Sequence, residues 1–452
     1  MKTIFLVIDD GFIVKNILQT EVFSTLRMSP DIQLCIITDT KKVADYEHRF
    51  GGVRVMVEGI ATQHLSLSEV LWGKFLRNIP RTKTSDISMF GGPFSTRKGL
   101  LTRFFIRLIQ FMFNNPKCRM LIRSFDMLFF RDREYDALFK KYQPILVFAG
   151  NVFSPSDVGI LRVARRHGIK TVGMLKGWDN PTSKGLIRFH PDHMVVHSYR
   201  MRDELKELHD YPSNHTFISG VPQYDMYFTP DDSSREEFWG SYGLDSQKKV
   251  VLYLEPGLFT SQRGYEIWII LDAFLKEKCI QPPSQIFISF HPAYKVKDEV
   301  LAELPNLYFY RFGLPLSKGR LKSVELTDED LHGIMRMIRY ADLVINTAST
   351  TNIEAAIFDK PTINIAFDGF APRPYYESVR QFYDYTHLRP VVESGGVKIA
   401  YDKEELLEQI NELLAHPDWG SAGRKKIVKE QCVYTDGKSG ERIGNFILSL
   451  LE

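Results

Sequence analysis

The chain has 452 residues, enough for two domains with substantial cores, and its 44 % hydrophobic and 25 % charged composition is that of an ordinary globular protein. With 58 Lys and Arg against 55 Asp and Glu the net charge is only +3, which argues against a general nucleic-acid binder. Four cysteines (Cys35, Cys118, Cys279, Cys432) lack CxxC spacing, so neither a zinc site nor a disulfide framework is expected, and a reducing, cytoplasmic setting fits. The start is too short an apolar run for a signal peptide, and no segment approaches the ~20 apolar residues that span a bilayer.

Taken in chain order, the predicted elements alternate. Thr3–Ile8, Gln33–Thr38 and Pro144–Phe148 read as buried strands, followed by a helix over Val158–His167 and a strand over Lys170–Met174. His193–His197 is a strand, Tyr199–His209 a polar helix, and Thr216–Ser219 a strand that ends in Gly220-Val221-Pro222-Gln223-Tyr224-Asp225. The same grammar restarts with a strand at Lys249–Leu254, a helix near Tyr265–Lys278, a strand at Gln285–Phe290 and a helix at Thr327–Arg339. The stretch from Ala341 to Phe367 then gives strand, hydroxyl-rich loop, short helix and strand. Alternation of this kind implies parallel sheets flanked by helices. The expected fold class is therefore α/β, two Rossmann-like doubly wound domains facing a central cleft, with ligands beyond the carboxyl ends of the strands. The polar stretch Thr229–Gln247 sets the expected division: residues 1–228, residues 229–433, and a C-terminal helix over 434–452 packing back on the first domain.

Residues 97–141 depart from this pattern, with eleven Lys and Arg, four acidic residues and many Phe. The segment reads either as a basic amphipathic helix on an anionic membrane, with Arg103, Arg107 and Arg123 at the headgroups, or as a core helix with snorkelling arginines.

Each chemistry-bearing motif falls at the end of a predicted strand. Asp9-Asp10-Gly11 follows the first; a carboxylate there suits a general base towards a hydroxyl, and Asp-Asp-Gly is also ordinary turn chemistry. Trp178, Asp179, Asn180, Ser183 and Lys184 crowd a loop bounded by Gly177 and Gly185, fit for sugar hydroxyls or phosphate, with Trp178 as a platform. Glu255 and Gly257 follow Lys249–Leu254, and Arg263 beyond them suits a diphosphate. His291-Pro292 ends Gln285–Phe290, where an imidazole can donate to phosphate; His190-Pro191 reads as packing. Ser349, Thr350 and Thr351 open a helix whose N-terminus suits an anion, while Thr351 and Glu354 also fit a capping box. The chain has no G-x-x-x-x-G-K-[ST] and no G-x-G-x-x-G after the first strand, which excludes a P-loop and argues against a dinucleotide site; no His/Asp/Glu cluster has metal-ligand spacing.

With these motifs in place the chain resembles the GT-B glycosyltransferases: two Rossmann-like domains, a Gly-Val-Pro linker, and a second-domain S-T-T-N-I-E-A-A loop and helix. The resemblance implies that Ser349, Thr350 and Thr351 contact the donor's phosphates and that Glu354 holds the ribose; Asp359 stands where a glycine is usual. His291-Pro292 with the Ser/Thr loop is similar to motifs of bacterial sialyl- and Kdo-transferases and of CDP-glycerol glycerophosphotransferases. The ending Tyr434-Thr435-Asp436-Gly437-Lys438-Ser439-Gly440-Glu441-Arg442 is much like that of the latter. The Trp178 loop resembles one in bacterial surface-polysaccharide transferases, and Asp9-Asp10-Gly11 has the composition of a sialyltransferase base motif but lies earlier.

These resemblances imply an inverting, metal-independent glycosyltransferase of capsule or lipopolysaccharide assembly, with no cofactor, acting on a nucleotide-sugar donor (CMP-, CDP- or UDP-linked) and a glycan or lipid-linked acceptor. Asp10, or else Asp179, is the expected base. Glu255, Gly257, Arg263, His291 and the Ser/Thr loop with Glu354 form the donor site, and Asp9, Gly11, Trp178, Asn180, Ser183 and Lys184 the acceptor site. The expected location is cytoplasmic, at the inner face of the membrane, with contact through residues 97–141. Two enzyme alternatives stay open, an isomerase resembling non-hydrolysing UDP-sugar 2-epimerases and a CDP-glycerol-type glycerophosphotransferase. A non-catalytic assembly scaffold is the third.

Overall fold

A computed structural model describes the chain except residues 9, 62–65, 92–97, 257–263, 291–297, 313 and 316–323. The chain forms two compact units. The first comprises Met1–Ser85, Gly99–Asp225 and Gln431–Glu452, the second Asp86–Lys98 and Met226–Glu430.

The first unit is built on seven parallel strands: β1 (Lys2–Val7), β2 (Ile32–Asp39), β3 (Val55–Ile60), β4 (Leu146–Ala149), β5 (Lys170–Met174), β6 (His193–Val196) and β7 (Thr216–Ile218). Their order is β3-β2-β1-β4-β5-β6-β7. Both faces of β1 are covered, which is why its sequence is an unbroken apolar run rather than an alternating one. Ile4 and Leu6 pack on one face with Ile36, Val172 and Ile443, whereas Phe5 and Val7 pack on the other with Val147, Val158 and Leu161.

The second unit repeats the plan with β8 (Lys249–Glu255), β9 (Ser284–Phe290), β10 (Leu307–Arg311), a two-stranded antiparallel pair β11 (Leu314–Pro315) and β12 (Val324–Glu325), then β13 (Leu343–Asn346), β14 (Thr362–Ile365) and β15 (Lys398–Ala400). Six of these form a parallel sheet in the order β10-β9-β8-β13-β14-β15. In both sheets the chain winds outward one way and then the other. The strand order therefore reverses between β1 and β4 and between β8 and β13, and the crevice outside the carboxyl ends of such a pair is where doubly wound sheets hold ligands.

The helix Ser439–Ser449 belongs to the first unit. Ile443 and Ile447 enter its core beside Val22 and Leu26, and Phe446 stacks on Phe217 with ring centroids 4.1 Å apart. Asp225 accepts hydrogen bonds from the backbone N–H groups of Ser439 (2.9 Å) and Gly440 (2.7 Å), the unpaired donors that open a helix. Gly444 allows the approach: a Cβ there would lie 2.5 Å from that of Thr25.

Residues 100–129 form two helices, Leu100–Phe113 and Pro116–Phe129. Arg123, which only the membrane-surface alternative of the sequence reading set at lipid headgroups, points inward. It pairs with Asp210 at 3.3 Å and donates to the carbonyls of Ile187 and His209. Arg119 pairs with the same carboxylate at 2.6 and 2.8 Å.

Candidate functional site

In the second unit, the crevice beyond β8 and β13 carries Glu255 on one side and the turn Thr347–Thr350 on the other. The turn is held from below by three buried asparagines. Asn346 and Asn364 are partners in the β13–β14 register, and Asn352 bridges them. Asn346 Nδ2 donates to Asn352 Oδ1 at 3.2 Å and Asn364 Nδ2 to the same oxygen at 2.8 Å, while Asn352 Nδ2 donates to Asn364 Oδ1 at 3.1 Å. The same Asn352 amide donates to the Ser349 carbonyl at 2.9 Å, and Ser349 N–H donates to Asn346 Oδ1 at 3.3 Å. Ala348 sits at φ 48°, a left-handed conformation that costs a non-glycine residue of order 1–3 kcal/mol unless its surroundings impose it. They do: the buried Tyr383 hydroxyl donates to the Ile365 carbonyl at 2.6 Å and is hydrogen-bonded by the Ala348 backbone.

Above this brace, Ser349 and Thr351 hydroxyls lie 3.1 Å apart, Thr351 N–H donates to Ser349 Oγ, and Thr350 is exposed. The helix that follows is only Thr351–Ile357, with Thr350 at its N-cap and no side-chain cap. The capping box read at Thr351 and Glu354 is therefore absent, because Thr351 is already the first helical residue. So short a helix supplies little dipole; the fixed turn and its hydroxyls are what this place offers a ligand. Glu354 accepts from the buried Tyr227 hydroxyl at 3.4 Å, and burial with that carboxylate pushes the phenol well up.

Glu255, the last residue of β8, is buried. Its Oε2 accepts from Trp268 Nε1 at 2.9 Å, and its Oε1 has no hydrogen-bond partner among the described residues. Burial raises the carboxyl to about 7, so near neutrality it is poised between proton donor and acceptor. Gly264 makes room for it, since a Cβ there would stand 2.1 Å from Oε1. Gly257, Arg263 and His291 lie outside the described residues.

In the first unit, Asp10 follows β1 and caps the turn Gly11–Ile13, accepting from Phe12 N–H at 2.9 Å and Ile13 N–H at 3.1 Å. Lys176, just past β5 and absent from the sequence reading, donates to the other Asp10 oxygen at 2.6 Å. The next segment, Val14–Leu18, is a π-helical turn, and the buried Asn16 within it donates to the Lys176 carbonyl at 3.1 Å. The loops after β1 and β5 are thus tied together, although β4 separates their strands. Within the second loop Asp179 accepts from Asn180 Nδ2 and Ser183 Oγ, both at 2.9 Å, and pairs with Lys184 at 3.5 Å. Trp178 packs against the core cluster around Val158, and Asn180 is buried. His209, wholly buried, anchors the loop: Nδ1 accepts from Ile187 N–H at 3.2 Å and Nε2–H donates to the Pro181 carbonyl at 2.8 Å. His190, at the His-Pro read as packing, hydrogen-bonds the His209 carbonyl at 3.0 Å. Asp9 lies outside the described residues. No group of three or more His, Cys, Asp or Glu among the described residues is placed to hold a metal ion.

The sequence reading missed Asn346, Asn352, Asn364, Tyr383 and Lys176. A signal for two of them existed, since an asparagine ending or interrupting an apolar strand needs buried partners.

Doubly wound sheets in tandem define the class, and solved structures agree. Over 99 % of this chain and 100 % of the other, UDP-GlcNAc 2-epimerase from Neisseria meningitidis superposes with a TM-score of 0.57 at 13 % identity. The S. aureus MnaA–UDP structure gives 0.56 at 13 % identity, covering 100 % and 97 %. A glycosyltransferase from Rickettsia africae gives 0.50 at 14 %, covering 99 % and 98 %. The fold is of the GT-B type. Residues 178–449 match the CDP-glycerol:poly(glycerophosphate) glycerophosphotransferase family, and the chain belongs to that family. A teichoic acid glycerol-phosphate primase of Bacillus spizizenii is 23 % identical over 280 residues, 61 % of this chain. The chain spans 66 % of that relative's length.

Proposed function

We propose that this chain is a transferase of bacterial surface-polymer synthesis that moves glycerol phosphate, or a similar polyol phosphate, from a CDP-linked donor to a hydroxyl of a glycan or lipid-linked acceptor. The acceptor oxygen forms a bond to the donor's distal phosphorus, the diphosphate P–O bond breaks, and CMP leaves; the hydroxyl proton passes to Asp10, with Asp179 the second choice for that role. The braced Ser349–Thr351 turn at the β8/β13 switch point carries this reading. Its hydroxyls, with Glu354 for the ribose, take the nucleotide, and preorganised donors at a leaving phosphate do what a metal does elsewhere. Glu255 and, on sequence grounds, Gly257, Arg263 and His291 complete the donor site. Gly11, Trp178, Asn180, Ser183 and Lys184, with Asp9 on the same grounds, receive the acceptor. The enzyme works in the cytoplasm at the inner face of the membrane, touching it through residues 97–141, and teichoic-acid-like, capsular or lipopolysaccharide polymers are the products considered.

Sugar transfer from a CMP-, CDP- or UDP-sugar uses the same site and ranks second, because the family is one of glycerophosphotransferases. A thermal-shift panel of CMP, CDP, UDP and GDP separates the donors, and the cytidine nucleotides are expected to give the largest shift. Ser349→Ala with Thr350→Ala should weaken CDP binding about tenfold or more, the loss of one or two hydrogen bonds to a charged phosphate; calorimetry returning wild-type affinity would refute the donor site. Asp10→Asn should abolish turnover and leave that affinity unchanged. Turnover should persist in EDTA. Epimerised product from a UDP-sugar without acceptor would replace transfer with isomerisation.

A further inference from the structure

β8 ends on a carboxyl whose bonding is incomplete. Glu255 is 3 % exposed; its Oε2 accepts from Trp268 Nε1 at 2.9 Å, and its Oε1 has no hydrogen-bond partner among the described residues. Trp268 and Gly264 both belong to the helix Gly264–Lys276 that follows β8, and the carboxyl fills the place a side chain at Gly264 would take, 2.1 Å from a Cβ there to Oε1. The first turn of the same helix carries Glu266, also buried, whose Oε2 accepts from Phe370 N–H at 2.7 Å. Gly369 beside it adopts φ 89°, and a Cβ on it would lie 2.2 Å from that oxygen. The segment after β14 therefore reaches the helix after β8, past β13, which lies between the two strands in the sheet. The corner of the crevice at β8 is thus bounded by the start of this helix and by the backbone at Gly369 and Phe370.

A buried polar atom without a partner costs stability wherever it stands. Trp268 satisfies one oxygen of Glu255, so the other is a loss to the fold unless a bound group supplies the missing bond.

We infer that Glu255 Oε1 receives a free hydroxyl of the polyol carried on the donor's distal phosphate, and so distinguishes a polyol donor from one that lacks the hydroxyl. The inference rests on the donor site proposed above and goes beyond it by naming the group that Glu255 meets and the selection that follows. Position chooses that end of the donor. The Ser349–Thr351 turn takes the diphosphate, and the helix carrying Glu354, read as holding the ribose, leads from β13 to β14. β8 borders β13 on the opposite edge, so Glu255 meets the end of the diphosphate remote from the nucleoside. Chemistry chooses the hydroxyl. A phosphate oxygen would meet the carboxylate as like charge, and an apolar group would leave Oε1 unbonded. A hydroxyl can donate to the carboxylate and accept from the acid, and burial, which raises Glu255 to about 7, makes both forms available near neutrality. Out of water such a bond discriminates strongly, because an analogue without the hydroxyl leaves the buried oxygen unpaired.

The test is calorimetry with CDP, CDP-glycerol and CDP-propanol, the last having the three-carbon chain and charge of CDP-glycerol and no free hydroxyl. The wild type should bind CDP-glycerol about tenfold more tightly than CDP-propanol. Glu255→Leu should lose that preference, binding both with the affinity the wild type has for CDP-propanol, while its CDP affinity matches the wild type's. The wild-type comparison needs no variant, so a folding defect in Glu255→Leu cannot hide the answer. Equal wild-type affinity for CDP-glycerol and CDP-propanol overturns the inference and leaves the nucleotide site standing, as does a Glu255→Leu variant that keeps the preference. A loss of CDP affinity in Glu255→Leu as large as its loss of CDP-glycerol affinity overturns it in favour of a contact with the nucleotide itself. A wild type that binds none of the three overturns the donor site and the inference together.

Discussion

Asn352 shows how much one amide can carry. It holds Asn346, Asn364 and the Ser349 carbonyl at once, so it fixes both the ends of two strands and the turn above them. Asn352→Leu would keep the volume and strand two buried amides, at about 1–3 kcal/mol for each unsatisfied group. Denaturant unfolding should show a loss of about 3 kcal/mol, and CDP affinity should fall with it although Asn352 is buried. Tyr383→Phe should act more mildly, since the hydroxyl's bonds to the Ile365 carbonyl and the strained Ala348 are lost but the buried ring remains. From sequence, the hydroxyls of Ser349, Thr350 and Thr351 were legible because they stand on the surface of the pattern. The brace was not, because its hydrogen bonds join residues 3, 6, 12 and 18 apart, spacings that share no helix or strand period.

At the scale of elements, apolar runs that became two-faced strands were the legible part. β5 and the helix Tyr199–His209 occupy the residues expected, and most other central elements differ at their ends. Strands β3, β10 and β15 went unseen, being short edge or near-edge strands with partly exposed residues. The helices from Leu100 to Phe129 teach something else. Amphipathicity fixes a period but not its sense, and in the second helix only the partners Asp210, Arg162 and Arg188 show that charged residues face in. A direct contrast follows. Asp126→Asn should destabilise the protein by about 3–5 kcal/mol, because two buried guanidinium groups lose their shared partner. Phe111→Ser, at an exposed site, should change stability by less than about 0.5 kcal/mol. Chemical unfolding of the pair measures both.

For the molecule as a whole, buried titrating groups set the response to pH. Burial lowers His197 to about 4 and both His190 and His209 to about 3, from an ordinary 6.5, and raises Glu204 and Glu255 to about 7 from 4.5. An imidazole that protonates near 6.5 only when unfolded favours unfolding as pH falls below that value, by about 1.4 kcal/mol per pH unit. A carboxyl held protonated to 7 does the opposite, and its stabilisation is lost as pH rises from 4.5 to 7. Between 6.5 and 4.5 three imidazoles oppose two carboxyls, which leaves a net loss of about 1.4 kcal/mol per pH unit as pH falls. Below 4.5 the imidazoles act alone and Asp231, held far down, against the pull of burial, by hydrogen bonds from Arg336, Ser233 and Tyr340, adds to the loss. Thermal unfolding should therefore give an unfolding temperature that falls gently from pH 6.5 to 4.5 and steeply below.

The helix Ser439–Ser449 has a consequence in the order of synthesis. The first unit opens at Met1, yet Ile443, Ile447 and the ring of Phe446 fill its core, and Asp225 waits for the N–H groups of Ser439 and Gly440. A ribosome making this chain must translate the second unit before the first can close. Until then β1, β2 and the helix Glu21–Met28 hold an open apolar groove, a natural client surface for a chaperone. Domain-by-domain folding from the N-terminus is not available to this protein.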